Sequence, residues 1–435
     1  MAAPRDITYF SAAKEHTLSH KWIKISSTVL AVATAVFVSG CGSGEPASRA
    51  ADHGLSGDPI KIGTINPLGT TAQNSPDAVA AIRAAAAGIN ASGGVNGRPI
   101  EIVACNEGYD PNKATACARE MVSENVVATV RDFSINNTSP INNMLASAGI
   151  AQVFSSVSQP PDYRAPNVFP LDGGSPFQWA GLVHRAQETH GIKKLAVAYL
   201  DGPGTRLRVD ATLKAAENAG VQVVTQVPVP ADAADYAPYV ASVMKDKPDA
   251  IVMIFSEPMY AQMIPALDAA GGSEILLLGN QAAVTPHLLK LLGNSAEGMM
   301  LGGPLPPLTA TDKFPGLAKF KADMATAFQA GDKDADPEST SGAALAGWLG
   351  VQAVAQIAAN LQGEISRKTV LDALNSTSGV DVQGLLPAWS PGQSGPIESY
   401  PRVANTSMFF WEVKDDAQLL TDTNTYDITP ALKGF

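Results

Sequence analysis

The sequence predicts an α/β protein made of two doubly wound lobes, each with a parallel sheet covered by helices on both faces. Two observations support this fold class. From Pro59 onward, apolar β-branched stretches alternate with helical patterns, which is the order that builds parallel sheets. The strand-like stretches are also too numerous for one sheet of modest size, and 435 residues are enough for two or three domains.

The first series begins with IKIGTIN, residues 60–66, which is apolar and β-branched like a buried strand. Pro76 then opens a helical stretch, since proline is favoured in the first turn of a helix. In the run INASGGVNGRPIEIVAC, the Gly-Gly pair ends this helix, and the Asn-Gly pair suits a turn with positive φ before the next strand. The same signals predict further strands at 126–130 and 149–155, with helices that begin at Asp110-Pro111 and Ser139-Pro140.

A second series of alternating elements follows. Its strands are predicted at 193–200, 221–229, 249–255 and 274–280, and its helices at 204–219, at 236–245, from 258 and from 286. The last third differs, because long helices at 314–329, 343–361 and 367–375 precede two strand-like stretches at 381–389 and 403–413. A loop rich in Gly, Pro and Ser separates these two stretches.

The composition is that of a folded globular protein, with 45% hydrophobic and 16% charged residues. The net charge is -11, and it becomes about -13 without the first forty residues, which hold four Lys or Arg and two Asp or Glu. The sequence has no run of basic residues. A chain with this balance repels phosphate backbones, so we expect no nucleic-acid partner.

The N-terminus predicts export. Three lysines precede STVLAVATAVFV, an apolar stretch that is too short for a membrane span of about 20 residues. The following Val-Ser-Gly-Cys resembles the lipobox of bacterial lipoproteins, in which the cysteine is acylated. We therefore expect a signal peptide at 1–40, a lipid anchor at Cys41 and a flexible tether at 41–57. A plain signal peptide with a coincidental cysteine, or a short signal-anchor, is the alternative.

Two cysteines remain, Cys105 and Cys117. In an exported chain, the even number of cysteines left after Cys41 suggests one disulfide between them. Two buried free thiols are the alternative. Two cysteines without a nearby histidine make a poor zinc site, so we expect no metal here.

The order of the elements and several motifs resemble the periplasmic binding protein type I family. Within it, the similarity is to the leucine/isoleucine/valine-binding lipoproteins of ABC importers. The match rests on IKIGTINPLG, INASGGVNGRPIEIV, YDPNKATACA, PMYAQMIPALDAAG and SAEGM, which occur in the family's order. It covers residues 58–415 and implies two α/β lobes joined by three crossover strands, with a ligand in the cleft between them.

The resemblance also implies a division of the chain and a function. The first lobe would hold 58–171 plus 299–398, and the second 172–298 plus 399–430. The protein would be a monomeric cell-envelope lipoprotein on the outer face of the cytoplasmic membrane. It would capture a small polar ligand, use no cofactor, and deliver the ligand to the permease of an ABC importer. A ligand-sensing or structural surface lipoprotein with the same fold is the alternative.

Ligands of open α/β sheets bind beyond the carboxyl ends of the strands, so the residues that follow each strand are candidates. In family members the loop after the third strand presents N–H groups and a hydroxyl to a ligand carboxylate, a role that suits a helix N-terminus. By this resemblance we expect Ser134, Ile135 through its N–H, and Asn136 to bind ligand. Val157 and Ser158 follow the fourth strand and are expected to add contacts. The alternative is that each of these residues only caps a helix, since helix caps use the same residue types.

The second lobe departs from the family pattern. Family members that bind amino acids carry two acidic residues here that accept the ligand's ammonium group, and these positions align with Gln281 and a residue near Ser175. Two positions that are aromatic in the family align with Thr205 and Glu257. Neither Gln281 nor Ser175 carries a charge. Either Glu257 accepts the ammonium group instead, or the ligand has no amine and is a carboxylate, an amide or another small metabolite. We favour the second interpretation.

Arg131 stands at the end of a predicted strand. It could neutralise an anionic ligand, or it could pair with a neighbour such as Asp132.

The motifs of common enzymes are absent from the sequence. The turn after the first strand is Asn-Pro-Leu-Gly, whose proline removes a phosphate-facing N–H. There is no G-x-S-x-G elbow and no G-x-x-x-x-G-K-[ST] loop. His184 and His190 are six residues apart, which is not the spacing of a metal pair on one helix face. We therefore expect a protein without enzymatic activity.

Overall fold

A computed structural model describes residues 55–70, 74–134, 138–420 and 422–435. The strands are β1 (Ile60–Asn66), β2 (Ile100–Asn106), β3 (Ala128–Val130), β4 (Ala151–Val153), β5 (Val168–Phe169), β6 (Lys194–Leu200), β7 (Gln222–Val229), β8 (Ala250–Ile254), β9 (Leu276–Asn280), β10 (Met300–Gly303), β11 (Ser407–Lys414), β12 (Ala417–Leu420) and β13 (Tyr426–Asp427). The helices are α1 (Pro76–Ala91), α2 (Pro111–Ser123), α3 (Thr138–Ser147), α4 (Gly174–His190), α5 (Arg206–Asn218), α6 (Ala237–Met244), α7 (Glu257–Ala269), α8 (Pro286–Leu292), α9 (Pro315–Gln329), α10 (Gly342–Asn360) and α11 (Arg367–Ser376).

The strands form two sheets, and each belongs to one α/β lobe, as the sequence predicted. The first sheet is parallel throughout and has the order β2-β1-β3-β4-β5. The second has the order β12-β11-β10-β9-β8-β6-β7, with β13 beside β11. Its strands β6 to β10 are parallel, whereas β11 runs antiparallel to its three neighbours.

The chain passes between the two lobes three times, after β5, after β10 and after α11. Strand β10 pairs with β9 and β11 in the second sheet, so the second crossing follows Gly303, later than the boundary expected at 299. Helices α9 and α10 then pack on α1 in the first lobe. Helix α10 is long and apolar enough to cross a membrane, but two thirds of its apolar window is buried inside the protein, as in the core helix of a globular domain.

The Gly-rich corner after α1 is a tight turn. Gly94 has φ +66°, and a Cβ there would lie 2.2 Å from the carbonyl oxygen of Arg98, so only glycine fits. The amide of Ser56 donates to the carbonyl oxygen of Gly97 at 2.8 Å. The last residues of the expected tether that the structure describes, 55–57, therefore lie against this turn.

Two elements differ from the sequence prediction. The stretch 381–389 was predicted to be strand-like, and this is wrong: it is a loop with only an isolated bridge between Val380 and Trp389. The loop turns at Gln383 and Gly384, which both have positive φ and therefore leave the extended conformation. Helix α4 was not predicted, because its sequence is apolar on several faces and lacks a polar N-cap side chain.

The disulfide prediction is confirmed. Cys105 in β2 and Cys117 in α2 are bonded, which ties the end of an edge strand to the helix that follows it.

Candidate functional site

The carboxyl ends of the first-lobe strands lie at one edge of their sheet. In the register, Asn66 at the end of β1 is beside Asn106 at the end of β2, and Val130 of β3 is beside Val153 of β4. The polypeptide that follows each of these strands therefore meets its neighbours at the same edge.

The segments that follow β3 and β4 line a recess of about 340 Å³, which includes a part open to solvent. Its lining is mostly apolar, with hydroxyl groups contributed by Ser134 after β3 and by Ser155 and Ser156 after β4. Val157, a predicted binding residue, also lines the recess. The structure thus brings together the loops of Ser134 and Val157, which the sequence had identified separately.

Asp132 lies at the base of the recess and holds β1 and β3 together at their ends. Its carboxylate accepts a hydrogen bond from the amide of Ile65 at 2.9 Å and another from the hydroxyl of Thr129. The hydroxyl of Ser155 donates to it at 3.5 Å. Burial raises the pKa of Asp132 to about 7, although these hydrogen bonds favour the charged form.

A chain of buried polar groups positions the loop after β4. The side-chain amide of Gln152 donates to the side-chain oxygen of Asn142 at 2.9 Å. The side-chain nitrogen of Asn142 in turn donates to the carboxylate of Asp162 at 2.9 Å. The second oxygen of Asp162 accepts from the backbone amides of Ser158 and Gln159 at 3.0 and 2.9 Å. The amide of Ser158 therefore serves this network.

Glu107, which sequence reasoning missed, supports Ser134. It follows β2, is 2% exposed, and accepts a hydrogen bond from the Ser134 hydroxyl. Burial raises the pKa of Glu107, opposed by hydrogen bonds from Ser134 and from the amide of Tyr109. The rule that identified Ser134, position directly after a strand, would also have found Glu107 had it been applied to β2.

Arg131 does not pair with Asp132. Within the described part of the chain, no carboxylate forms an ion pair with it. In the described ranges its buried Nη1 has no hydrogen-bond partner, and its guanidinium carbon lies 5.7 Å from the centre of the Phe133 ring. Burial lowers the pKa of Arg131, while nearby Asp172, Asp77 and Asp132 favour its charged form.

The first turn of α4 in the second lobe faces the loop after β4. A Cβ at Gly174 would lie 2.6 Å from the carbonyl oxygen of Val157, so the two backbones approach closely. The hydroxyl of Tyr163 also donates to the carbonyl oxygen of Gly173 at 3.1 Å. Ser175, a predicted binding residue, follows directly and is partly exposed.

The other predicted residues of the second lobe lie near the ends of its strands, and none lines the recess. Thr205, after β6, is only 3% exposed. Glu257 begins α7, and its carboxylate accepts from the hydroxyl of Thr285 at 3.0 Å. Gln281 follows β9, where its side chain fills the space next to Gly303 and reaches Gly342 at the start of α10.

Three predicted residues, Ile135, Asn136 and Cys41, lie outside the described residues. Among the residues that are described, no group of three or more His, Cys, Asp or Glu could hold a metal ion.

The fold and the recess define a two-lobed solute-binding protein. The family model for periplasmic binding proteins matches residues 59–418, so the chain belongs to that family. This is a family of solute-binding proteins rather than enzymes, and its members act outside the cytoplasm together with ABC transporters.

Individual relatives are distant. The Leu/Ile/Val/Thr-binding protein of Salmonella typhimurium is 24% identical over 260 residues, which are 58% of this chain and 70% of that protein. A substrate-binding periplasmic protein from Ralstonia solanacearum superimposes with a TM-score of 0.65 at 21% identity, over 83% of this chain and 99% of the other. A solute-binding protein of an ABC transporter from R. palustris, in complex with 4-hydroxybenzoate, superimposes with a TM-score of 0.65 at 18% identity. The superposition covers 85% of this chain and 97% of the other. Both structures support the fold.

Proposed function

We propose that this protein is an extracytoplasmic solute-binding lipoprotein that captures a small polar ligand between its lobes and delivers it to an ABC importer. The observation that carries the proposal is the position of the recess. Hydroxyl-bearing loops of the first lobe surround it, and the loop after β4 touches the first turn of α4 in the second lobe. A ligand bound there would contact the first lobe, whose residues line the recess, and closure of the cleft would bring groups of the second lobe onto it.

We propose that Ser134, Val157 and the hydroxyl of Ser158 bind the ligand from the first lobe, together with Ile135 and Asn136. Ser175, Thr205, Glu257 and Gln281 would approach it from the second lobe when the cleft closes. The lobes would divide near the boundaries expected from the sequence, with β10 assigned to the second. Family membership supports this arrangement.

Closure is the proposed mechanism. A ligand that contacts both lobes binds the closed form more tightly, and this difference shifts the population toward closure. A preference of a few kcal/mol is enough to make the closed form dominant. The importer would then recognise the closed form, while an anchor at Cys41 would keep the protein at the membrane.

The experiment is a thermal-shift screen of the protein without its signal peptide, against amino acids, their amides and simple carboxylates. A true ligand raises the melting temperature, since binding to the folded state alone stabilises it. A screen in which no solute does so would overturn the proposal. For the anchor, Cys41→Ala should move the protein from the membrane fraction to the soluble fraction of the cells, whereas unchanged fractionation would argue against lipidation.

A further inference from the structure

Arg131 combines three features that together point to a ligand-binding role. It adopts a φ of +50°, a left-handed conformation that disfavours a long side chain. It lies directly after the central strand β3, next to Asp132 of the recess, although Arg131 itself is not one of the residues that line the recess. Its Nη1 is buried and has no hydrogen-bond partner among the residues that the structure describes. A buried cationic donor without a partner is costly, so a partner absent from the protein itself is expected.

The carboxylates near Arg131 do not satisfy it: within the described part of the chain none of them forms an ion pair with its guanidinium, and each accepts hydrogen bonds elsewhere. Asp77 accepts from the amide of Ser341 at 3.0 Å and from its hydroxyl at 2.6 Å. Asp172 accepts from the amide of Gly174, and Asp132 from the donors described above. These carboxylates favour the charged form of the guanidinium, and its Nη1 has no hydrogen-bond partner among the described residues.

The same carboxylates would repel an anion less than their number suggests. Burial raises the pKa of Asp132 to about 7, and burial also raises that of Asp172. Near neutral pH, part of the negative charge at Asp132 is thus neutralised by a proton, while Arg131 stays cationic.

The described candidates for an ammonium acceptor are neutral or already accept hydrogen bonds. Glu257, the acidic candidate of the second lobe, accepts a hydrogen bond from the hydroxyl of Thr285. The oxygen of that hydroxyl also accepts from the amide of Leu288 and so caps α8. Gln281 is neutral and packs against Gly303. Asp162 at the recess accepts from three donors of its own lobe.

We propose that Arg131 binds a carboxylate of the ligand and that this ligand carries no ammonium group. This inference rests on the proposed function and specifies the class of solute.

The test compares matched probes in thermal-shift and calorimetric titrations. The probes are leucine, 4-methylpentanoate (leucine with hydrogen in place of its ammonium group), benzoate, 4-hydroxybenzoate, and the amides of these carboxylates. We expect at least one amine-free carboxylate to bind, and its amide to bind far more weakly. Arg131→Gln should weaken carboxylate binding by roughly 30-fold, the loss expected when one partner of a buried charge pair is removed. Arg131→Lys should retain part of the binding, because it keeps the charge but loses the planar fork.

The control is Arg83→Gln, which removes the same charge from an exposed position on α1 and should leave affinity unchanged. Ligand-free Arg131→Gln should melt at the same temperature as the unmodified protein or higher, whereas a structural arginine would lower it. Binding of amino acids alone, or unchanged carboxylate binding by Arg131→Gln, would overturn the inference and leave the proposed function standing. If no probe of either class binds, both fail.

Discussion

The hydroxyl of Ser134 donates a hydrogen bond to the buried carboxylate of Glu107, which joins the segments that follow β3 and β2 at the rim of the recess. Ser134→Ala would remove this donor. We expect the free energy of unfolding to fall by about 1–2 kcal/mol in urea denaturation. Ser123→Ala is the control, because that exposed hydroxyl bonds only a carbonyl of its own helix. Equal losses in the two variants would contradict a special role for the Glu107 contact.

Asp132 predicts an unusual pH dependence. Its pKa is raised from 3.8 to about 7 in the folded protein, so the folded state binds a proton that the unfolded state releases at lower pH. The resulting stabilisation is complete below about pH 4 and is lost as the pH rises to about 7, a change on the order of a few kcal/mol.

The measurement for Asp132 is denaturation across this pH range. Asp132→Asn keeps an oxygen for the Ile65 amide and should flatten the profile, with its advantage over the unmodified protein growing toward pH 7. Asp249→Asn provides a contrast. The backbone amides of Lys193 and Lys194 lower the pKa of Asp249, so its carboxylate stabilises the fold at higher pH, and this contribution is lost as the pH falls. Parallel profiles for Asp132→Asn and the unmodified protein would rule the assignment out.

The close approach of Gly174 and Val157 predicts a specific effect of one methyl group. Gly174→Ala places a Cβ 2.6 Å from the Val157 carbonyl oxygen, whereas a Cβ at Gly191, at the other end of α4, meets nothing within 4 Å. Both glycines have positive φ, so both variants carry a conformational cost of about 1 kcal/mol. Only Gly174→Ala should also weaken ligand binding, as measured by calorimetry, and equal affinities would disprove this.

The disulfide should contribute measurable stability. It closes a loop with a sequence separation of 12, for which the chain-entropy model gives roughly 3 kcal/mol. Replacing both Cys105 and Cys117 by serine should lower the melting temperature. Reductant should lower the melting temperature of the unmodified protein but not of the double variant. A double variant as stable as the unmodified protein would contradict the prediction.

The sequence was sufficient for the elements whose signals are local. Pro76, Pro111 and Pro286 each occupy the first turn of a helix, because proline tolerates that position, and β1 and β2 were visible as β-branched runs. The loop at 381–389 could not be told from a strand in this way. Tertiary packing buries its larger apolar side chains. For example, the ring centres of Trp389 and Phe154 lie 4.6 Å apart.

The candidate site was only partly predictable for the same reason. Position after a strand identified Ser134 and Val157, since the carboxyl ends of parallel strands share one edge. The hydrogen bonds from Gln152 through Asn142 to Asp162 join residues from three separate elements, and no local pattern specifies them. The missing ion pair of Arg131 likewise depends on where Asp77 and Asp172 find their own donors.

The central claim, capture of a solute between the lobes, is tested most directly by amide hydrogen exchange with and without the solute that most raises the melting temperature. We predict slower exchange in the loop 154–158 of the first lobe and also in the segments 173–178 and 279–282 of the second. Protection confined to one lobe, or no protection at saturating solute, would contradict the account.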